Sequence, residues 1–356
     1  MGTIENSIPR DGLDRIRLFR RQYLQLLDQQ HITWPSAEHL RNANVQEWLF
    51  EQCFTGYAFL PPARYQLRVL KTLVAKVEDA IVDPEEDEIS DNLMTALSEL
   101  MFAPLPDEMK AVQQKSWVTY TLISSEHDHA TSETPLRILE NRSVISGAGT
   151  TGLRTWEAAL HLGSYLQTSP EARALVEGKR VIELGAGTGL LALMCAGVLG
   201  AKQVIATDGD EGVVEALKEN TACNEPRAEV KCAQLWWGHT LKDSWLIEEF
   251  APHPCDLVLG ADVTYDKVVI PALVSTIRDL FEAWPKVQVI ISATIRNEDT
   301  FSAFEHACKY NKFTVTEIDH PLVPMHQQIS LFHSVDVPIK IWSITAPAKI
   351  KDPFAF

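Results

Sequence analysis

The chain has 356 residues, 46% of them hydrophobic, with six cysteines and a net charge of −16. That length holds one large domain plus a smaller one, and no run of about 18 apolar residues is present to span a membrane. So acidic a chain is poorly suited to a nucleic acid backbone. Cysteines without a CxxC pair point to a reduced compartment, read here as the cytoplasm.

The N-terminal MGTIENSIPRDG lacks the apolar core of a signal peptide. Residues 1–115 read as a helical domain. Ile16, Phe19, Tyr23 and Leu26 recur at helical spacing, with Arg15, Arg17, Arg20 and Arg21 around them as a solvated face. Further helices are predicted over Val45–Cys53, Tyr65–Val77 and Asn92–Met101, and the acidic stretch Asp83–Asp91 reads as a solvated loop. From Trp117 the pattern changes. WVTYTLI (Trp117–Ile123) and LRILEN (Leu136–Asn141) read as the strands of a hairpin joined by a polar loop. That loop carries His127 and His129, with no partners at ligand spacing, so no metal is expected. His326 and His333 fall near the expected substrate face, where such residues are usually exposed or packed.

Beyond Ser146–Trp156 and a helix to about Leu166, strands and helices alternate. Strands are predicted at Arg180–Leu184, Gln203–Asp208, Ala228–Ala233, Leu257–Ala261, Val287–Thr294, Phe313–Asp319 and Ile339–Thr345. Helices are predicted at Leu190–Leu199, Glu211–Asn224, Val269–Trp284 and Thr300–Asn311. Continuous apolar strands between helices mean a largely parallel sheet covered on both faces. The fold class is therefore α/β: a Rossmann-like seven-stranded sheet over 116–356, with the helical domain and the hairpin before it.

VIELGAGTGL is the strongest motif. A buried strand, Val181–Leu184, runs into Gly185, Gly187 and Gly189, and a helix follows. Glycines there let the backbone approach a ligand closely. A dinucleotide site would need a third Gly at position 190, which is Leu190, and Glu183 would repel a pyrophosphate. The ammonium and sulfonium of S-adenosylmethionine suit that carboxylate better. Asp208 ends the second strand about 20 residues beyond the turn, where a carboxylate accepts from ribose hydroxyls. Asp210 is the expected cap of the next helix. QLWWG (Gln234–Gly238) ends the third strand at the edge that faces an adenine, and an indole supplies a flat apolar surface there. LGADVTYD (Leu259–Asp266) ends the fourth strand. Ligands of open α/β sheets bind outside the carboxyl ends of strands, which puts Asp262 and Tyr265 where a methyl group leaves the sulfur.

GTTGLRTW, VIELGAGTGL, QLWW, GADVTYD and ISATIRNEDTF together resemble the elongation factor 2 lysine methyltransferases, a group of non-SET, seven-β-strand protein-lysine methyltransferases. The resemblance runs from about Val144 to the C-terminus and includes an N-terminal helical extension. It implies cofactor contacts from Trp156, Gly185, Ala186, Gly187, Asp208, Trp237 and Ala261, and places Asp262 and Tyr265 in a DxxY motif. Trp236 stands where the family often has an acid, so either indole is a candidate for the adenine; Gly238 favours Trp237. The implied activity is transfer of methyl groups from S-adenosylmethionine to a lysine of elongation factor 2, with residues 1–115 recognising the substrate. Methylation of another protein, or service as a binding scaffold, are the alternatives. No membrane and no direct nucleic acid partner are expected.

Overall fold

The computed structural model describes residues 8–55, 58–104, 114–125, 131–141, 151–251 and 253–347. His127 and His129, and positions 146–150 of the GTTGLRTW approach, lie outside them. The chain divides into two compact units, 1–145 with 325–332, and 146–324 with 333–356.

In the first unit, helices α1 (Arg10–Leu24), α2 (Ala37–Arg41), α3 (Ala43–Leu49), α4 (Ala63–Ala80) and α5 (Asp91–Phe102) precede a two-stranded antiparallel ribbon, β1 (Ser116–Ser125) and β2 (Thr131–Glu140). Ile16, Phe19 and Tyr23 pack on Leu49, Cys53, Leu70 and Leu73 in one core, which also takes in Phe332. Leu26 falls beyond the end of α1 at φ +60° and is not part of the helical stripe. Arg20 and Arg21 are not a solvated face: both guanidiniums pair with Glu133 of β2, and Arg21 is only 9% exposed. The expected boundary at 115/116 differs from the compact division because α1 packs on β1 and these ion pairs tie α1 to β2. The strand expected from Leu136 starts at Thr131. Pro135 sits opposite Thr121 without breaking a ribbon that has an edge on each side.

The second unit is built on a seven-stranded sheet in the order β5-β4-β3-β6-β7-β9-β8. Its strands are β3 (Arg180–Leu184), β4 (Gln203–Asp208), β5 (Val230–Gln234), β6 (Leu257–Ala261), β7 (Gln288–Thr294), β8 (Thr314–Ile318) and β9 (Ile339–Thr345). The first five are parallel. β9 enters antiparallel between β7 and β8, so the sheet is parallel only in part. β3, the first strand of the sheet in sequence, lies third in the order, beside the central strand β6: the chain winds outward to β4 and β5, then returns to add β6 on the other side. That reversal opens a crevice at the carboxyl ends of β3 and β6.

Helices α6 (Glu157–Thr168), α7 (Pro170–Ala174), α8 (Leu190–Gly197), α9 (Glu211–Asn224), α10 (Trp245–Glu249), α11 (Ile270–Ala283) and α12 (Glu298–Tyr310) connect the strands. α8 is apolar on every side and buried from Leu190 to Ala196, as a helix enclosed by protein must be. Asp210 caps α9 by accepting from Val213 N, as expected, and Asn297 caps α12 by accepting from Thr300 N. That second cap starts α12 two residues earlier than the periodicity predicts. α2, α7 and α10 were not predicted, being too short to show a period.

Candidate active site

A cavity of about 720 Å³ lies at the carboxyl ends of β3, β4, β5 and β6. Gly185, Ala186 and Gly187 form its floor where β3 gives way to α8. Gly185 has φ +63°, and a Cβ there would stand 2.9 Å from Val263 Cγ1. Gly187 has φ +54°, and a Cβ would stand 3.1 Å from the Gly152 carbonyl oxygen. Both positions therefore need glycine for conformation and for space, and the turn presents a bare backbone cradle. Asp208, at the end of β4, holds that cradle. One carboxylate oxygen accepts from Gly187 N at 3.1 Å and the other from Asp210 N at 3.1 Å. Burial raises the Asp208 pKa, against the pull of these backbone donors.

Glu183 differs from its reading as an anion facing the ligand's cations. It is 3% exposed, and its Oε2 accepts from Ala192 N in the first turn of α8 at 2.8 Å. Burial pushes its pKa up to about 8. The two indoles after β5 separate cleanly. Trp236 is 58% exposed, while Trp237 is half-buried, packs on the sheet core and reaches the Gly185 position. Gly238 N donates to Thr276 Oγ1 of α11 at 2.9 Å, which fixes the loop carrying Trp237.

Asp262 follows β6 with φ +53°, a conformation that costs a non-glycine residue about 1–3 kcal/mol. Its backbone N donates to Ser292 O at 2.8 Å. Its carboxylate is 8% exposed as a residue and accepts from Thr294 N (2.9 Å), Thr294 Oγ1 (3.2 Å) and Arg296 Nη2 (3.1 Å). Burial raises its pKa, and Arg296 and Thr294 oppose that rise. Tyr265 is 56% exposed at the cavity wall. Trp156 precedes α6, donates its indole N–H to Thr151 O at 3.0 Å, and carries two guanidiniums against its ring, Arg154 at 4.8 Å and Arg296 at 5.0 Å. Glu157 joins them, one oxygen on Arg154 (2.8 Å) and the other on Arg296 (3.3 Å).

The sequence of this site has relatives. A family model described as lysine methyltransferase matches residues 131–309. Protein-lysine N-methyltransferase EFM3 of Chaetomium thermophilum is 45% identical over 324 residues, 90% of this chain and 94% of that protein. EFM3 of Saccharomyces cerevisiae is 32% identical, covering 74% of this chain and 78% of the relative. Protein-lysine N-methyltransferase EEF2KMT of Homo sapiens is 27% identical, over 81% and 85%. This chain belongs to the elongation factor 2 lysine methyltransferase family. It is thus a protein-lysine methyltransferase, of a family and fold that use S-adenosylmethionine.

Every residue that family resemblance singled out lines the one cavity: Trp156, Gly185, Ala186, Gly187, Asp208, Trp237, Ala261, Asp262 and Tyr265. Sequence reasoning missed the charged network around them. Arg154, Thr294 and Arg296 lay inside the quoted GTTGLRTW and SATIRN motifs but drew no role, and Glu157 stood just after the first. Arg296 and Glu157 are 139 residues apart, and no spacing rule joins them. His333 is buried against His161, and His326 is exposed on a short 3₁₀ turn; neither lines the cavity.

Proposed function

We propose that this cavity binds S-adenosylmethionine and methylates a lysine of elongation factor 2, an assignment that carries with it a cytoplasmic location. The observation behind the cofactor half is the glycine cradle braced by Asp208 at the sheet's switch point, a surface that any side chain at 185 or 187 would fill. Gly185, Ala186 and Gly187 offer close backbone approach. Asp208 keeps lone pairs for ribose hydroxyls beside those it gives to Gly187 N and Asp210 N. Trp237 supplies the flat wall for the adenine, with Ala261 below, and Trp156 closes the opposite end. S-adenosylmethionine, when bound, supplies an electrophilic methyl group.

The chain's residues then have two tasks. One is to align a lysine amine in line with the departing sulfur. The other is to favour its neutral form, since removing a proton from a lysine with a pKa of about 10.4 costs about 4–5 kcal/mol at pH 7. Asp262, rigidly held, orients the amine by a hydrogen bond. The exposed ring of Tyr265 receives the methylated ammonium by cation–π attraction. The elongation factor 2 half rests on the relatives, both EFM3 proteins and EEF2KMT, matched over most of their length. The test is incubation of the purified chain with methyl-labelled cofactor and elongation factor 2, with mass spectrometry of the lysines. A methylated lysine on the factor is expected. No label on the factor, with label on other proteins of a cell extract incubated in parallel, would overturn the substrate and leave the enzyme class intact.

A further inference from the structure

The cavity is lined by four carboxyl groups, Glu183, Asp208, Asp210 and Asp262, and by two cationic side chains among the described residues, Arg154 and Arg296. With Glu183 held near neutral by burial, the other three acids make a wall that suits the ammonium and sulfonium of the cofactor. It leaves the cofactor's single anion, the α-carboxylate of its methionine part, to be matched elsewhere. Two arginines side by side would repel a substrate ammonium, so their place in such a cavity calls for an anionic group. The Trp156 indole N–H is already given to Thr151 O and is not available for it.

The two arginines are not equivalent. Arg296 Nη2 is engaged by two carboxylates, Asp262 at 3.1 Å and Glu157 at 3.3 Å, and so is neutralised in place. Arg154 gives Nη2 to Glu157 at 2.8 Å, and among the described residues its other N–H donors have no carboxylate. A guanidinium is a rigid planar fork matched to a carboxylate by paired N–H donors. Its orientation is fixed from two sides, by Glu157 at 2.8 Å and by the Trp156 ring at 4.8 Å. The segment that carries it also meets the cofactor cradle, since the Gly152 carbonyl stands 3.1 Å from where a Gly187 Cβ would be.

We propose that Arg154, oriented by Glu157 and Trp156, is the cofactor-binding residue that receives the methionine α-carboxylate. This rests on the cofactor assignment above. Arg296 serves a different end, holding Asp262.

The experiment is calorimetric titration of the full chain with S-adenosylhomocysteine and with its decarboxylated analogue, which keeps the amine and loses only the carboxylate. The native chain is expected to bind the first at least about tenfold more tightly, as a charge-assisted bidentate contact implies. Arg154→Met, which keeps an apolar stem against Trp156, is expected to erase that preference by weakening S-adenosylhomocysteine alone. Arg154→Lys is expected to restore part of it, and serves if the Met variant does not fold. If the native chain binds both ligands equally, or if Arg154→Met weakens both by the same factor, the carboxylate lies elsewhere and the proposal is overturned. If the native chain binds neither, the cofactor assignment itself fails, and the proposal with it.

Discussion

Asp208, half-buried, and Asp262, buried, are both carboxylates at strand ends, yet their surroundings predict different losses. Among the described residues Asp208 is held by backbone donors, Gly187 N of the cradle and Asp210 N of the turn after β4. Asp208→Ala should therefore remove the ribose contacts and loosen Gly187 together. Charge-assisted bonds of about 1.5–3 kcal/mol each make a fall of about a hundredfold in S-adenosylmethionine affinity the expected outcome. The helical circular dichroism should persist; unchanged affinity by calorimetry would remove Asp208 from the cofactor site. Asp262 is held by Arg296 and Thr294, whose donors it satisfies. Asp262→Ala should lower kcat much more than cofactor affinity. It should also cost stability, up to about 3 kcal/mol, because Arg296 loses one of its two carboxylates. Equal losses in kcat and affinity would mark Asp262 as a cofactor or folding residue.

At the scale of elements, α6 carries function at one end and a titratable cluster farther along. Trp156 and Glu157 open it at the cavity. Within it, the buried His161 ring lies 4.9 Å from His320 and 5.5 Å from His333, which follow β8 and precede β9. Tyr165 faces His320 at 5.4 Å. Burial lowers the His161 pKa to about 4, helped by His320 and His333 and opposed by a hydrogen bond with the His320 backbone. His320 is lowered in turn by burial and His333, with Asp319 opposing. The folded value lies below the ordinary His value of about 6.5. The unfolded chain therefore binds a proton that the folded chain refuses, and stability is lost as pH falls from about 6.5 to about 4. For His161 alone the loss is about 3 kcal/mol. Urea unfolding between pH 7.5 and 4.5 should show it, and His161→Gln should flatten the slope. An unaltered slope in that variant would assign the acid sensitivity to other groups.

For the whole molecule, the division of the chain bears on how substrate recognition is separable from catalysis. The cavity residues all fall within 151–296. The first unit's core gathers α1, α3 and α4 and also Phe332, with Gln25 hydrogen-bonded to both the N–H and the carbonyl of Phe332. A chain begun at Lys115 keeps Phe332 and the β1–β2 ribbon but loses the helices that cover them. It should be less soluble and melt lower. It should still bind S-adenosylmethionine, and we expect it to fail to methylate elongation factor 2, on the proposal that the N-terminal helical region supplies recognition beyond the lysine. Full activity of the truncated chain on the intact factor would place recognition in the remaining residues.

What the sequence determined was whatever local periodicity or a contiguous motif encodes. The apolar runs of β3, β4 and β6, the Gly185–Gly189 turn, Asp208 at a strand end and the Asp210 cap each follow from neighbours a few residues apart. Spacing also spoke against a dinucleotide, since Leu190 stands where that turn needs glycine. What the tertiary structure alone decided was how distant charges share a small volume. Glu183 faces a helix N-terminus and is held near neutral by burial. Asp262 is locked by Thr294 at the end of β7 and by Arg296 just beyond it. Glu157 bridges Arg154, three residues before it, and Arg296, 139 residues beyond it, and Arg20 and Arg21, expected in solvent, close on Glu133 of β2. Hydrophobic periodicity is a local signal, readable along one element. The pairing and protonation of a charged side chain depend on burial and on partners brought in by the fold, at sequence separations that no local pattern records.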